Sequence, residues 1–417
     1  MDVCSINNVA RCLVDAGLNP GLAQFLTILG GVLVVATFPL LVVIFLIWVE
    51  RKIAARIQDR LGPNRVGPFG LLQTFADAIK LIIKENITPI GADRLVYNAA
   101  PIMVVMAVLL IWAIIPFSPL HVGANLETGA LYFVAVASIG TLGVMLAGWS
   151  SNNKYALLGA FRVVAQLVSY EVPMVFALLV PVLLASSMSM QTIVETQRGM
   201  WFFFMAPVAA LIFFISSQAE TGRAPFDLLE AESEIVAGFN IEYSGMKFGL
   251  FFAGEFMHVF TNGVLMAVLF FGGWVGPWVD KLPFSLPLLG DTIPLILGPI
   301  YLFAKATVWY MLSLLIRNTV PRVRIDQMMA FNWKFLVPLS IINFVLTAVA
   351  YKFCQVIGIS PTPETANDFL ANIPQTLVLL VVNLVIAGYV LNRVRGVGRE
   401  ERLASAGVVE EQAAVAH

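Results

Sequence analysis

Charge is scarce in this chain. Asp, Glu, Lys and Arg make up 12% of its 417 residues, against about 25% in an ordinary globular protein. A soluble enzyme, a disulfide scaffold and a disordered chain are excluded on that ground. The 25 basic and 26 acidic residues leave a net charge of −1, so no global basic field points to nucleic acid. Cysteine is nearly absent (Cys4, Cys12, Cys354), and so is histidine (His121, His258, His417). An iron–sulfur cluster needs about four thiolates and a membrane bis-histidine haem two facing His; structural zinc is equally unprovided for. We expect no haem, flavin, iron–sulfur cluster or metal on this chain. Any redox chemistry linked to it must use centres carried by other subunits.

What is abundant is apolar sequence, 59% of the chain. It falls into blocks of about 18 to 25 residues, the length that crosses a hydrocarbon core of roughly 30 Å. We read an all-α, polytopic transmembrane bundle of about nine spans, near 28–49, 99–117, 130–149, 161–184, 201–219, 248–275, 293–316, 335–357 and 374–391. The first block is no cleaved leader: it runs into Glu50-Arg51-Lys52 rather than a small-residue cleavage site. With the N-terminus outside, 20 of the 25 basic residues fall on inner segments, 4 on outer ones, and Lys305 within a span. That asymmetry orients the chain with its C-terminus inside and demands an odd number of spans.

Two elements do not span. In residues 69–86, Gln73, Asp77, Lys80 and Lys84 recur at helical spacing opposite Leu72, Phe75, Ile79, Ile82 and Ile83, which predicts an amphipathic helix lying in the membrane interface. We take residues 1–398 as one membrane domain and 399–417 as a polar, Ala-rich cytoplasmic tail, expected to be disordered. No repeat of matching broken helices, as in many transporters, is evident.

The segment 219–246 is a long inner loop with Glu220, Asp227, Glu230, Glu232, Glu234 and Glu242 against a single Arg223. Asp227, Glu230 and Glu234 share a helical face by spacing. In water such like charges repel by only tenths of a kcal/mol; beside a water-poor cavity, repulsion and desolvation bring carboxyl groups into proton exchange near neutral pH. The plain alternative is a helix start after Pro225-Phe226, where acids favour the dipole. It accounts for two of the acids, not six.

Glu171, Glu255 and Lys305 sit inside spans. Each costs roughly 2.5–3.5 kcal/mol to insert at a helix centre, so function is the first reading. The alternative is a buried pair, Lys305 with Glu171 or Glu255, that fixes packing. His258 is read as a packing residue. The first inner loop, rich in Arg and Lys, is what topology alone expects, yet Gly62-Pro63 and Gly67-Pro68 predict a rigid re-entry into the in-plane helix.

Three stretches together resemble one family: VERKIAARIQDRLGPNRVGPFGLLQTFADAIKLIIKE, AETGRAPFDLLEAESEIVAGFNIEYSG and VPRVRIDQMMAFNWKFLVP. They are similar to the H subunit (mitochondrial subunit 1) family of respiratory complex I, from about residue 40 to 340. The resemblance implies a heel-piece component of a proton-translocating NADH:quinone oxidoreductase, not catalytic alone, in a bacterial inner membrane. It implies a quinone substrate, ubiquinone or menaquinone, reached through a tunnel. Its implied partners are peripheral-arm iron–sulfur and quinone-site subunits, antiporter-like membrane subunits and membrane lipids. Carried over residue by residue, the acidic-loop motif matches Glu220, Arg223, Asp227, Glu230, Glu232, Glu234 and Glu242, and the span motifs match Glu171 and Glu255. The tunnel-mouth motif matches Arg51, Arg60, Asp77 and Lys80; we add Phe226 to the tunnel and Lys305 to the coupling groups. The ninth span and basic tail exceed the shorter members, which leaves their role open. The competing readings are a sister component of a membrane-bound hydrogenase or deazaflavin-dependent quinone reductase, a stand-alone ion channel or transporter, and a structural anchor.

Overall fold

The computed structural model describes residues 13–14, 17, 19–119, 122–227, 238–276, 293–361, 365 and 367–415, and their side chains except those of 293–295 and 393–415. Helix α1, Pro20–Ile57, starts where Asn19 accepts from the Gly21 N–H and Pro20 needs no partner for its missing donor. It ends with Arg56 in its last turn, favourable for the dipole. Leu22, Phe25, Leu29, Val32, Leu33 and Leu41 are exposed along it, as a lipid-facing helix requires.

The chain then turns back through Gly67 and Gly70. A Cβ at Gly70 would stand 2.2 Å from the Pro63 carbonyl oxygen, and its φ is +79°, so only glycine fits there. The turn is tied to α1 by the Trp48 indole N–H, which donates to the Phe69 carbonyl. Helix α2, Gln73–Ile83, follows. It is shorter than the expected 69–86 because Phe69 and Gly70 both take left-handed φ. Its apolar face is uncovered by protein: Phe75, Ile79, Ile82 and Ile83 are all exposed.

Helices α3, Arg94–Trp112, and α4, Gly129–Ser150, pack closely through small residues. A Cβ on Gly143 would meet Val104 Cγ2 at 2.8 Å, and such small-residue contacts replace the missing hydrophobic drive between helices in lipid. Asp93 caps α3 by accepting from the Leu95 and Val96 N–H groups. Helix α5, Lys154–Ala185, carries Pro173 and Pro181 within it. A short α6, Met190–Thr196, leads to α7, Phe202–Met205, and α8, Pro207–Glu220.

Here the expected span 201–219 differs. It is broken at Ala206, whose φ −139° and ψ 62° lie outside the helix, because the ring of the following proline disfavours the α region for the residue before it. Among the described residues eight helices are long and apolar enough to cross a membrane, and the 14-residue α8 is the short apolar one. Helix α9, Gly245–Phe270, is the most enclosed of the long helices, with 72% of its apolar window buried. It packs on α10, Ile293–Thr319, and also on α3, α1, α2 and α8. Helix α11, Ile325–Phe331, passes through a π-turn at Asn332–Leu336 into α12, Val337–Ile357. The Asn332 amide donates to the Ser169 carbonyl there.

The last helix, α13, runs Phe369–Val415 without interruption. The tail expected to be disordered from 399 is thus its continuation. Ala, Glu, Gln, Arg and Leu are strong helix formers, and a helix already nucleated by the span extends through them without a new nucleation step. Within the span, the Asn383 amide donates to the Met205 carbonyl, at the break between α7 and α8.

Candidate functional site

The C-terminal end of α8 is a run of buried polar residues, Ser216 to Thr221. Buried polar groups are costly unless bonded, and here neighbouring helices supply the partners. Ser313 donates to Gln218 Oε1 at 2.7 Å, Thr221 to the Gln218 carbonyl, and Asn262 Nδ2 lies 3.4 Å from Glu220 Oε2. The following turn is closed by one residue, Gln166. Its Nε2 donates to the carbonyls of both Ala219 and Phe226, at 2.6 and 2.8 Å. Val323 N donates to the Pro225 carbonyl, and the Phe226 ring packs on Tyr170 at 5.4 Å.

That clamp aims Arg223 inward. Its side chain is 1% exposed and contacts two carboxyl groups from different helices: Nη1 lies 2.8 Å from Glu50 Oε2, and Nε 3.3 Å from Glu255 Oε1. Arg317, in the last turn of α10, also bonds Glu50, and Tyr310 Oη lies 3.4 Å from Glu50 Oε2. The Arg223 guanidinium stacks over Phe256, 4.6 Å from the ring centre. Burial alone would lower its pKa, but Glu50 and Glu255 outweigh that and the net shift is upward, so Arg223 stays charged. Two carboxyls and two guanidiniums thus form one cluster, the arrangement that makes buried charge tolerable.

On the other side of Glu255 lies a cavity of about 80 Å³. Its walls are apolar residues of α3, α4 and α9, among them Val104, Val108 and Phe251, and its polar lining includes Glu220, Glu255, His258 and Thr141. The space has room for several water molecules, each needing about 10–15 Å³ by this measure. His258 Nε2 stands 3.7 Å from Glu220 Oε1. Glu171, on α5, accepts from the Ser138 hydroxyl at 2.8 Å.

Other expected residues are placed apart. Glu242 accepts from Asn153 Nδ2 at 2.7 Å, and its carbonyl accepts from the Tyr97 hydroxyl. Tyr97 and Tyr243 stack with ring centres 4.1 Å apart, and burial pushes the Tyr243 phenol up to about 12. This seats the end of the acidic loop against α3 and α4. Asp227 is half-buried at the last described position of the loop's first part, while Glu230, Glu232 and Glu234 lie outside the described residues. Arg51 pairs with Asp77, joining α1 to α2, and Lys80 Nζ is 3.9 Å from the same carboxylate. Arg60, exposed, donates to Gln58 Oε1.

Lys305 pairs with neither Glu171 nor Glu255. Its Nζ donates to the carbonyls of Phe271, Gly273 and Val275, at 2.7, 2.9 and 2.6 Å, with the Trp201 ring 5.0 Å away. It caps the end of α9, where carbonyls lack helical partners, and stands apart from the acids.

Sequence reasoning passes over Glu50, Arg317, Gln166 and His258. For Glu50 a signal exists: Val43, Leu46 and Glu50 recur at helical spacing and all three are buried, so the acid lies on the packed stripe of α1. Gln166 and Arg317 carry no local signal, since their partners come from remote segments.

With this geometry in place, comparison with known proteins is informative. The profile of the NADH dehydrogenase family matches residues 30–348. The H subunit of NADH-quinone oxidoreductase from Dehalococcoides mccartyi (strain CBDB1) is 46% identical over 328 residues, covering 78% of this chain and 86% of the relative. The first of the H subunits of the same oxidoreductase in Geobacter metallireducens is 46% identical over 313 residues, 73% of this chain and 90% of its own. That of Brevibacillus brevis is 44% identical over 313 residues, 75% and 89% respectively.

Proposed function

Since the chain belongs to the NADH dehydrogenase family, we propose that it is the H subunit of an NADH-quinone oxidoreductase. In this reading it forms a quinone access tunnel and couples quinone reduction to proton translocation. It is not catalytic alone: electrons arrive from peripheral-arm iron–sulfur subunits, and antiporter-like membrane subunits receive the coupling. The chain sits in a bacterial inner membrane with its N-terminus outside and its acidic loop and C-terminus inside. The relatives' shared name favours this over a hydrogenase component or a self-sufficient channel.

One observation carries the coupling half. Arg223, at the root of the acidic loop, holds Glu50 of α1 and Glu255 of α9 together. A charge change in the loop therefore acts on an intramembrane carboxyl group through one buried cation, in surroundings where Coulomb interactions are weakly screened. When a quinone headgroup gains two electrons it must take up two protons. The new negative charge shifts protonation in the Glu230, Glu232 and Glu234 group, and the change passes by Arg223 to Glu255, Glu220 and Glu171. Quinone tails enter over the exposed apolar face of α2, whose angle to α1 is held by Arg51 and Asp77.

Replacing Glu230 and Glu234 together with Gln tests this. The assembled complex is expected to lose proton pumping. A normal proton-to-electron stoichiometry in that variant refutes the coupling role, and unchanged turnover and pumping together assign the chain to anchoring only.

A further inference from the structure

We propose that His258 is a proton-carrying member of the intramembrane path, working as a pair with Glu220 across the cavity below the acidic loop. The inference rests on the coupling reading above and adds to it a residue of a different chemical type. Three observations carry it. The imidazole Nε2 points at Glu220 Oε1 from 3.7 Å, so a movement of under about 1 Å by either side chain closes a hydrogen bond. That nitrogen is buried and has no hydrogen-bond partner among the described residues, although a buried polar atom ordinarily has one. Both groups, with Glu255, line the same cavity, which is large enough for water and otherwise mostly apolar.

The physical argument concerns what a packing histidine needs. Leu or Phe would fill an apolar wall without an orphaned nitrogen. An imidazole in that position is useful because it both accepts and donates a proton through its two nitrogens. Glu220 reaches the cavity from the end of α8 and Glu255 from α9 itself, one turn before His258. Glu171 of α5 acts on Glu220 electrostatically, while the cavity-lining residues of α3 and of α4 are uncharged. Arg223 lies beyond Glu255 and holds it. A proton leaving Glu220 is thus taken up at Nε2, and the proton on Nδ1 is released toward the cavity water and Glu255. One N–H bond forms as another breaks, with no net charge left on the ring.

The test uses the assembled complex in sealed membrane vesicles, with NADH:quinone turnover and proton translocation measured together across pH. His258→Gln and His258→Asn keep polarity and approximate size but cannot carry a proton. Both are expected to assemble and to lower pumping-coupled turnover about 10²-fold, the low end for loss of a positioned proton-transfer group. In His258→Ala, added imidazole is expected to restore translocation, with a pH dependence that follows the imidazole used. Wild-type pumping in the Gln variant overturns the inference, and so does failure of both polar variants to assemble, which would assign His258 to packing. Glu220→Gln run in parallel separates the two levels. If it abolishes pumping while His258→Gln does not, only the role of His258 falls; if neither variant affects pumping, the coupling reading falls with it.

Discussion

Arg223 donates to Glu50 Oε2 at 2.8 Å across 173 positions of sequence. Replacing Arg223 by Met leaves Glu255 without its cation while Glu50 keeps Arg317. Breaking a buried pair costs about 3–5 kcal/mol, and the retained Arg317 places the expected loss at the lower end. The yield of assembled complex and its melting temperature are expected to fall. Arg223→Lys keeps the charge but has one nitrogen where two are used, so it is expected to fall between wild type and Met in both measurements.

Lys305 is expected to behave as a cap. Lys305→Met removes three charge-assisted bonds to carbonyls and is expected to lower stability by about 3 kcal/mol, the scale of hydrogen bonds to a charged group. Turnover per assembled complex and proton stoichiometry are expected to remain at wild type. A stoichiometry that falls at normal assembly would return Lys305 to the proton path.

At Gly159 a Cβ would lie 2.6 Å from the Gly238 carbonyl carbon. Backbone cannot move aside as a side chain can, so Gly159→Ala is expected to push the Gly238–Asn240 turn off α5 and cost about 1–3 kcal/mol. Faster proteolysis within 228–237 and reduced turnover are the readouts. Gly140→Ala, whose Cβ would stand 3.7 Å from Ala107 Cβ, is the matched control and is expected to be near neutral.

The exposed face of α2 gives a substrate-dependent prediction. Ile79 and Ile83 are 56% and 77% exposed, so Ile79→Glu with Ile83→Glu disturbs little packing. If that face passes isoprenoid tails, KM for a long-tail quinone is expected to rise about tenfold, corresponding to about 1.4 kcal/mol, with a short-tail analogue unaffected. Equal effects on both substrates would remove α2 from the tunnel mouth.

Asn383 bonds the Met205 carbonyl at the break before α8. Asn383→Leu is expected to destabilise the complex by about 1 kcal/mol, as single interhelical hydrogen bonds in lipid do. The rate per assembled complex is expected to be unchanged, read as a lower melting temperature at constant turnover. This gives the C-terminal helix, outside the family match at 30–348, a bracing role on a span shortened by Pro207.

Much of the fold is legible in the chain. Each long helix lies near an expected apolar block, and Gln73 to Ile83 is a helix by its periodicity alone. The exception, 201–219, fails at Ala206 because one proline outweighs hydropathy. The tail departs from expectation because composition takes no account of the helix that precedes it. Of the site, Glu220, Arg223 and Glu255 are visible as charges out of place in apolar sequence, whereas Glu50 is hidden among the basic residues that end α1.

The sequence by itself determined which segments lie in lipid, because transfer of about 18 or more apolar residues is a sum over neighbours in the chain and needs no partner. Only the tertiary structure decided what each buried charge does. Lys305 meets three carbonyls, Arg223 meets two carboxyl groups, and His258 faces Glu220 across a cavity. The energy of a charge in a weakly polar interior depends on atoms within a few ångströms of it, and those atoms belong to helices remote in sequence.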